Sequence, residues 1–167
     1  MDIFFDLDNT LIEASLEQRL GGVPVDIASG QTAIVTVRPG VEALLAGARK
    51  IGAVRLLTAS TRGYSVPIAA LPELGFREDE IFARDDYMTV GGFSSYGGTR
   101  DLFVEKQNQF PGSVLIDDLH PDNPYARCKQ MFLGISSERF IRVNAFYAAA
   151  PTPIDAEAVL AAIERLR

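Results

Sequence analysis

Short apolar runs alternate along this chain with segments whose apolar residues recur at helical spacing. The runs at 3–5, 53–57 and 114–116 are typical of buried strands, whereas the spacing of apolar positions over 41–50 predicts an amphipathic helix. Strands that alternate with helices usually form a parallel sheet with helices on both faces. The pattern therefore predicts an α/β fold, a three-layer sandwich with a mostly parallel central sheet.

The remaining pattern predicts further elements. A β-hairpin is expected where residues 23–27 and 32–37 flank a four-residue turn. Further helices are predicted at 63–74, 101–109, 123–131 and 155–166, and further strands at 80–83 and 139–143. The glycine-rich and serine-rich segment 84–99 predicts a loop or hairpin. We interpret 1–167 as a single domain with two insertions, the hairpin at 19–37 and the segment at 84–99.

Composition fits a single globular domain. Of the 167 residues, 47% are hydrophobic and 23% are charged, and no apolar run approaches the roughly 20 residues of a membrane span. Because the first strand begins almost at once and the lone Cys128 excludes an internal disulfide, we expect a cytoplasmic protein. The net charge of −6 argues against broad nucleic-acid binding, with a local basic groove as the alternative, and the lack of a long apolar run argues against a membrane partner.

Two carboxylates follow the first apolar run. Asp6 and Asp8 lie two residues apart, so in a strand they point the same way, and Thr10 marks the turn out of the sheet. Ligands bind at the carboxyl ends of strands in open α/β sheets, and paired carboxylates there suit Mg²⁺. For this motif alone, an acidic turn after a core strand is an equal alternative.

A second acidic pair decides between the two interpretations. Asp117 and Asp118 end the run at 114–116 in the same way. If the two strands are neighbours, four carboxylates converge, and such a cluster is costly unless a divalent cation neutralises it. The sequence therefore predicts a Mg²⁺ site made by Asp6, Asp8, Asp117 and Asp118, with Asp8 contributing its backbone carbonyl.

Phosphoryl transfer is the chemistry that such residues support. Asp6 can attack phosphorus and form an aspartyl-phosphate, while Asp8 protonates the leaving oxygen and later takes a proton from water. Thr58, at the end of the strand over 53–58, is predicted to hydrogen-bond a phosphoryl oxygen. The substrate-binding candidates are Asn9, Thr58, Ala59 and Ser60. A hydroxyl that only caps the backbone is the alternative for Thr58, and Ser60 can equally cap the next helix.

A cation beside the phosphate is also expected, and two residues are candidates. The helix predicted at 101–109 would run antiparallel to the strand that ends at Asp117, which places Arg100 at the active edge. Lys106 would lie about 9 Å further down that helix, although lysine offers the more compact charge. Both residues remain candidates.

The motifs together resemble those of the haloacid dehalogenase superfamily: Asp6 to Thr10, Thr58, a later Arg or Lys, and Asp117 with Asp118. Within it, the chain is similar to the NLI-interacting-factor-like phosphatases, which are related to the RNA polymerase C-terminal-domain phosphatases. That similarity rests on Arg38-Pro39-Gly40, Thr58-Ala59-Ser60 with Tyr64, the hairpin before Arg38, and Asn123 after the acidic pair. Asn9 departs from it, because the subgroup usually has glutamate there.

The resemblance implies a Rossmann-like domain without a large cap, a Mg²⁺ cofactor and the aspartyl-phosphate route, with Asp6 as nucleophile and Asp8 as acid and base. The subgroup implies removal of phosphate from phosphoserine or phosphothreonine in protein. A phosphatase of nucleotides or other small phosphate esters is the alternative enzyme. A binding module without turnover is the other alternative, although such a module has no need of both Asp6 and Asp8.

Overall fold

Ten strands and five helices lie in the described part of the computed structural model, which comprises residues 1–17, 21–91 and 102–167. The strands are β1 (Asp2–Phe5), β2 (Ile12–Ser15), β3 (Val23–Asp26), β4 (Thr32–Val37), β5 (Ala53–Leu57), β6 (Ile81–Phe82), β7 (Met88–Val90), β8 (Leu102–Val104), β9 (Val114–Asp117) and β10 (Phe140–Arg142). The helices are α1 (Val41–Ile51), α2 (Arg62–Ala69), α3 (Arg84–Tyr87), α4 (Pro124–Leu133) and α5 (Ala156–Arg165).

The central sheet has the strand order β10-β9-β1-β5-β6, and its neighbouring strands are all parallel. β1 lies in the middle: Ile3 is in register with Val114 of β9 and with Val54 of β5. Because the strands are parallel, the carboxyl ends of β9, β1 and β5 meet at one edge of the sheet. The predicted α/β fold is confirmed.

Helices cover both faces of this sheet, so the core has two halves. Ile3 and Phe5 pack on one face with residues of α1, α2 and α5, whereas Phe4 packs on the other face with Tyr87 and Phe132 of α4. This alternation follows from the two-residue period of a strand. Each fully buried large apolar side chain stabilises the fold by about 1.5–3 kcal/mol, so β1 is held from both sides.

The predicted hairpin is an antiparallel pair, β3 and β4, in a small sheet of order β2-β4-β3. Its turn contacts the start of α2: the Ala28 amide donates a hydrogen bond to the Gly63 carbonyl at 3.0 Å. A Cβ atom added at Gly63 would lie 2.7 Å from the Ala28 Cβ, so this close approach requires glycine. The hairpin therefore fixes the position at which α2 begins.

The helix predicted at 101–109 is wrong. Leu102–Val104 form β8, which pairs antiparallel with β7. Phe103 is exposed while Leu102 and Val104 are half-buried, which is the alternation of a strand. A partner strand at Met88–Val90 within the segment predicted as a loop or hairpin decides the outcome, since strand pairing depends on a distant segment. The part of that segment from 92 onward lies outside the described residues.

Two helices begin with capping side chains where the sequence predicts a helix start, at 123 and 155. The Asn123 side chain accepts a hydrogen bond from the Tyr125 amide at 2.9 Å, and Asp155 accepts one from the Ala158 amide at 3.0 Å. The α4 cap fixes the helix that follows the acidic pair.

Over the described ranges, none of the helices combines the length and the apolar character needed to cross a membrane.

Candidate active site

Asp6 and Asp117 meet at the carboxyl edge of the central sheet. The Asp6 amide donates to the Ile116 carbonyl at 2.9 Å, which extends the β1–β9 pairing by one residue beyond β1. Asp117 is the last residue of β9, and both side chains are buried, Asp117 completely. The parallel register of two neighbouring strands thus brings together carboxyl groups that are 111 positions apart in the chain.

Asp118 completes an acidic cluster. One carboxylate oxygen from each of Asp6, Asp117 and Asp118 lies within 4.8 Å of the others. Asp118 is held by a reciprocal pair of bonds, in which the Thr10 hydroxyl donates to its carboxylate at 3.1 Å and its amide donates to the Thr10 oxygen at 3.0 Å. Thr10 therefore connects the loop after β1 to the end of β9.

A lysine that the sequence analysis did not identify lies inside this cluster. The Nζ atom of Lys129, on α4, is 2.6 Å from an Asp6 carboxylate oxygen and 2.7 Å from an Asp117 carboxylate oxygen. The side chain is only 1% exposed. In the sequence, Lys129 occupies a core position of α4, three residues after buried Ala126 and four before buried Leu133. A charged residue on the apolar face of a helix is unusual, and this pattern could have identified Lys129 from the sequence.

Lys106, one of the two predicted cations, does not lie at the cluster. Lys106 is exposed and lines a different cavity of about 270 Å³, together with Arg62, Glu78 and Phe110. The geometric argument for these candidates assumed a helix over 101–109, and the chain forms β8 there instead. Arg100 lies outside the described residues. Within the described residues, the cation that contacts Asp6 and Asp117 is Lys129, on the helix after β9.

Asp8 is separate from the acidic cluster in its contacts. Its two carboxylate oxygens accept different hydrogen bonds, one from the Tyr64 hydroxyl at 2.6 Å and one from the Ser60 hydroxyl at 2.7 Å. Burial, together with the nearby Asp8 charge, raises the pKa of Tyr64, so this hydroxyl stays protonated. Both donors follow β5, in the segment that begins with Thr58.

Thr58 lies at the end of β5, beside the cluster. It is buried, its side-chain oxygen accepts a hydrogen bond from the Ser60 amide at 3.1 Å, and its carbonyl accepts one from the Tyr87 hydroxyl at 3.2 Å. A threonine hydroxyl that accepts from an amide still has its proton to donate. The backbone-capping alternative and the predicted donation to a phosphoryl oxygen are therefore compatible in one residue.

The charges of the cluster influence one another strongly. Burial raises the pKa of Asp6 to about 8; the Lys129 ammonium opposes this increase and the Asp117 carboxylate adds to it. Burial also raises the pKa of Asp118. Burial alone would lower the pKa of Lys129, but Asp6 and Asp117 outweigh it and raise that pKa, so the amine stays protonated. When Asp6, Asp117 and Asp118 are all ionised, their negative charge exceeds the positive charge of this one ammonium.

One cavity of about 240 Å³ unites most of the predicted residues. Its lining comprises the predicted Asp6, Asp8, Asn9, Thr58, Ala59, Ser60 and Asp118, and also Leu119, Tyr125 and Lys129. Asp117 contacts Lys129 but is fully buried and is not part of the cavity lining. The donor set fits a hard divalent cation, because three carboxylate oxygens are close enough to share one ion. Carboxyl, hydroxyl and ammonium groups thus face a common space.

Comparisons with known proteins identify a family and a fold for this chain. A family model described as NLI interacting factor-like phosphatase matches residues 2–135. Two solved structures of the RNA polymerase II CTD phosphatase Fcp1 are similar in fold: one has 17% identity and a TM-score of 0.56. The other, the fission yeast Fcp1-R271A bound to beryllium fluoride, has 16% identity and a TM-score of 0.55.

Each alignment covers 99% of this chain, and 48% and 51% of the respective Fcp1 chains. The chain thus spans about half the length of these structures. No curated protein sequence matches the chain. At these identities the likeness shows a shared haloacid dehalogenase-type fold.

Proposed function

The chain belongs to the NLI interacting factor-like phosphatases, and from this premise we propose that it hydrolyses phosphoserine or phosphothreonine esters in protein through an aspartyl-phosphate on Asp6. The observation that carries the proposal is the cavity in which Asp6 and Asp8 lie together with Thr58 and Lys129. Family membership makes the chain a phosphatase. The intermediate, the metal and the substrate class are the proposed parts.

Asp6, Asp117 and Asp118 are the residues that would hold a Mg²⁺ ion. When bound, the ion supplies positive charge that offsets the repulsion between the carboxylates and a phosphate. Asp8 is predicted to reach the metal through its backbone carbonyl. Its carboxyl group instead accepts hydrogen bonds from Ser60 and Tyr64. Because it does not hold the metal, this carboxyl group is free to transfer protons.

In the first step, a carboxylate oxygen of Asp6 attacks the phosphorus atom. The bond from phosphorus to the leaving oxygen breaks, and Asp8 donates its proton to that oxygen, so a neutral alcohol departs. Lys129 holds the attacking carboxylate from one side at 2.6 Å and supports its ionised form. Thr58 donates its hydroxyl proton to a phosphoryl oxygen.

In the second step, a water molecule attacks the phosphorus atom of the aspartyl-phosphate. Asp8, now ionised, takes the proton of that water, and the bond from phosphorus to the Asp6 oxygen breaks. Inorganic phosphate leaves, and both aspartates return to their starting states. The same Asp8 carboxyl therefore serves as acid and then as base, which requires that it keep one position throughout.

A protein substrate is supported by the solved structures of similar fold, which are both of a phosphatase named for the CTD of RNA polymerase II. Small phosphate esters remain the alternative substrates. A panel that compares phosphoserine and phosphothreonine peptides with nucleoside monophosphates, at equal concentration, separates the two. Preference for the peptides by about tenfold or more in kcat/KM supports the proposal, and preference for nucleotides overturns the substrate assignment.

Hydrolysis of 4-nitrophenyl phosphate tests the reaction itself. The wild-type chain should release nitrophenol with Mg²⁺ and lose this activity with a chelator. Asp6→Asn should be inactive, because the amide cannot form the intermediate, and a folded state confirmed by circular dichroism excludes a trivial cause. Trapping the intermediate by rapid acid quench with ³²P-labelled substrate gives a direct readout. Retained turnover in Asp6→Asn would overturn the proposed route.

A further inference from the structure

We infer that Tyr64 and Ser60 are positioning residues that fix the Asp8 carboxyl group for its two proton transfers. This inference rests on the proposed role of Asp8 and deepens it. Asp8 accepts one hydroxyl hydrogen bond on each oxygen, from Tyr64 at 2.6 Å and from Ser60 at 2.7 Å. Two donors on different oxygens determine both the direction and the rotation of the carboxyl plane.

The two hydroxyl bonds leave Asp8 able to react. A carboxylate has about four lone-pair sites, so two remain after Tyr64 and Ser60 have each used one. One remaining site can carry the proton that passes to the leaving oxygen and later returns from water. A hydroxyl group can also turn and accept a bond, so neither donor prevents Asp8 from being protonated.

The backbone holds both donors in place. The Tyr64 amide donates to the Thr61 carbonyl at 3.1 Å in the first turn of α2, and the Ser60 amide donates to Thr58 Oγ1 at 3.1 Å. The hairpin turn fixes the same region through the Ala28 amide and the Gly63 carbonyl. Tyr64 is half-buried and packs against the larger apolar core cluster. The donors are thus supported by rigid elements, as accurate positioning requires.

This arrangement assigns two tasks to the segment from Thr58 to Tyr64. Thr58 faces the phosphoryl group, while Ser60 and Tyr64 face the residue that handles the proton. The sequence predicts that Ser60 contacts substrate, and in the structure the Ser60 hydroxyl donates its hydrogen bond to Asp8. Loss of either hydroxyl should therefore impair proton transfer more than substrate binding.

The dependence of rate on the leaving group measures proton transfer directly. The holoenzyme, assayed with Mg²⁺, is compared as wild type, Tyr64→Phe, Ser60→Ala, the double variant and Asp8→Asn. The substrates are 2,4-dinitrophenyl, 4-nitrophenyl and phenyl phosphate, whose leaving oxygens need protonation to an increasing degree. The quantity compared is kcat/KM, because it reports the steps up to the first phosphoryl transfer. Tyr147→Phe, at an exposed tyrosine outside the site, is the matched control.

We expect Tyr64→Phe to lower kcat/KM for phenyl phosphate by about 10- to 100-fold and for 2,4-dinitrophenyl phosphate by less than about threefold. The double variant should approach Asp8→Asn, and Tyr147→Phe should match wild type. An equal loss with all three substrates in Tyr64→Phe would indicate a merely structural role and overturn the inference.

The two proposals fail in different ways. If Asp8→Asn shows the leaving-group dependence and Tyr64→Phe and Ser60→Ala do not, the positioning role is wrong and the proposed function stands. If Asp8→Asn itself affects all three esters equally, or the wild type hydrolyses none of them, the acid and base role of Asp8 is overturned, and the positioning inference with it.

Discussion

Lys129 lies 2.6 Å from Asp6, and its side chain is buried almost completely. The same amine is 2.7 Å from Asp117. One cation from α4 therefore joins the ends of the two central strands, β1 and β9, at the point where the proposed nucleophile lies. This relationship links the stability of the site to its chemistry, because removing the cation leaves two buried carboxyl groups without their partner.

Lys129→Met should impair both stability and activity. Breaking a buried ion pair by removing one partner costs about 3–5 kcal/mol, and the loss of the cation should also reduce turnover. Urea denaturation gives the free energy of unfolding, and hydrolysis of 4-nitrophenyl phosphate gives the rate. Lys106→Met is the matched control, because Lys106 is exposed and lines another cavity. Normal activity in Lys129→Met together with its loss in Lys106→Met would contradict the structural assignment.

Stabilisation by Mg²⁺ should increase with pH. The pKa of Asp6 is about 8 in the folded protein against a usual value of 3.8, so between these pH values only the folded state holds the proton. Without metal, this residue's contribution to stability is therefore full below about pH 4 and is lost as the pH rises through 8. A metal ion competes with that proton, so the increase in Tm on adding Mg²⁺ should be larger at pH 8.5 than at pH 6.

Differential scanning fluorimetry at both pH values, with and without chelator, measures this effect. Asp118→Asn should reduce the increase in Tm at pH 8.5, since it removes one carboxylate of the cluster. Ca²⁺ at the same concentration tests the preference for the smaller ion. An increase that is equal at both pH values would show that the ion does not replace a proton on Asp6.

Arg38→Met should destabilise the fold without altering the cavity that Asp6 and Asp8 line. The buried Arg38 guanidinium donates to the carbonyls of Thr10, Asn144 and Thr152, at 3.3, 2.8 and 3.0 Å. A buried carbonyl that loses its donor costs about 1–3 kcal/mol. Because two of the three bonds are only partly buried, the lower end of this range applies and denaturation curves should show a total loss of about 3 kcal/mol. Arg77→Met, at a side chain that is 70% exposed, should leave the free energy of unfolding close to that of the wild type. Equal losses in both variants would contradict this role of Arg38.

Asn9 should tolerate glycine better than a β-branched residue. Its φ angle is 60°, in the left-handed region, and its amide donates to the Ile12 carbonyl at 2.7 Å. Asn9→Val should lower the free energy of unfolding by about 1–2 kcal/mol, whereas Asn9→Gly should stay close to wild type. Paired denaturation curves check this difference. A valine variant as stable as the glycine variant would mean that the turn after Asp8 can change its conformation.

Much of the site was predictable from local sequence. Asp6 and Asp8 after one apolar run, and Asp117 with Asp118 after another, indicate strand ends in an α/β sheet, and the sheet places the β1 and β9 ends side by side. Thr58 and its neighbours follow a third such run. The alternation of strands and helices predicted the layers, and the helical patterns predicted the starts of two helices at Asn123 and Asp155. These features depend on short segments whose pattern carries the information.

The tertiary structure decided what depends on distant partners. Lys129 lies on the apolar face of α4, which indicates a buried charge but not its partners, and only its approach to β1 and β9 makes it part of the site. Leu102–Val104 form a strand because β7 is available to pair with them. Tyr64 and Ser60 reach Asp8 because β5 lies next to β1. The sequence by itself determined the elements and the acidic strand ends, through local spacing and residue chemistry. Packing between residues far apart in the chain determined which cation and which hydroxyl groups contact these acidic strand ends.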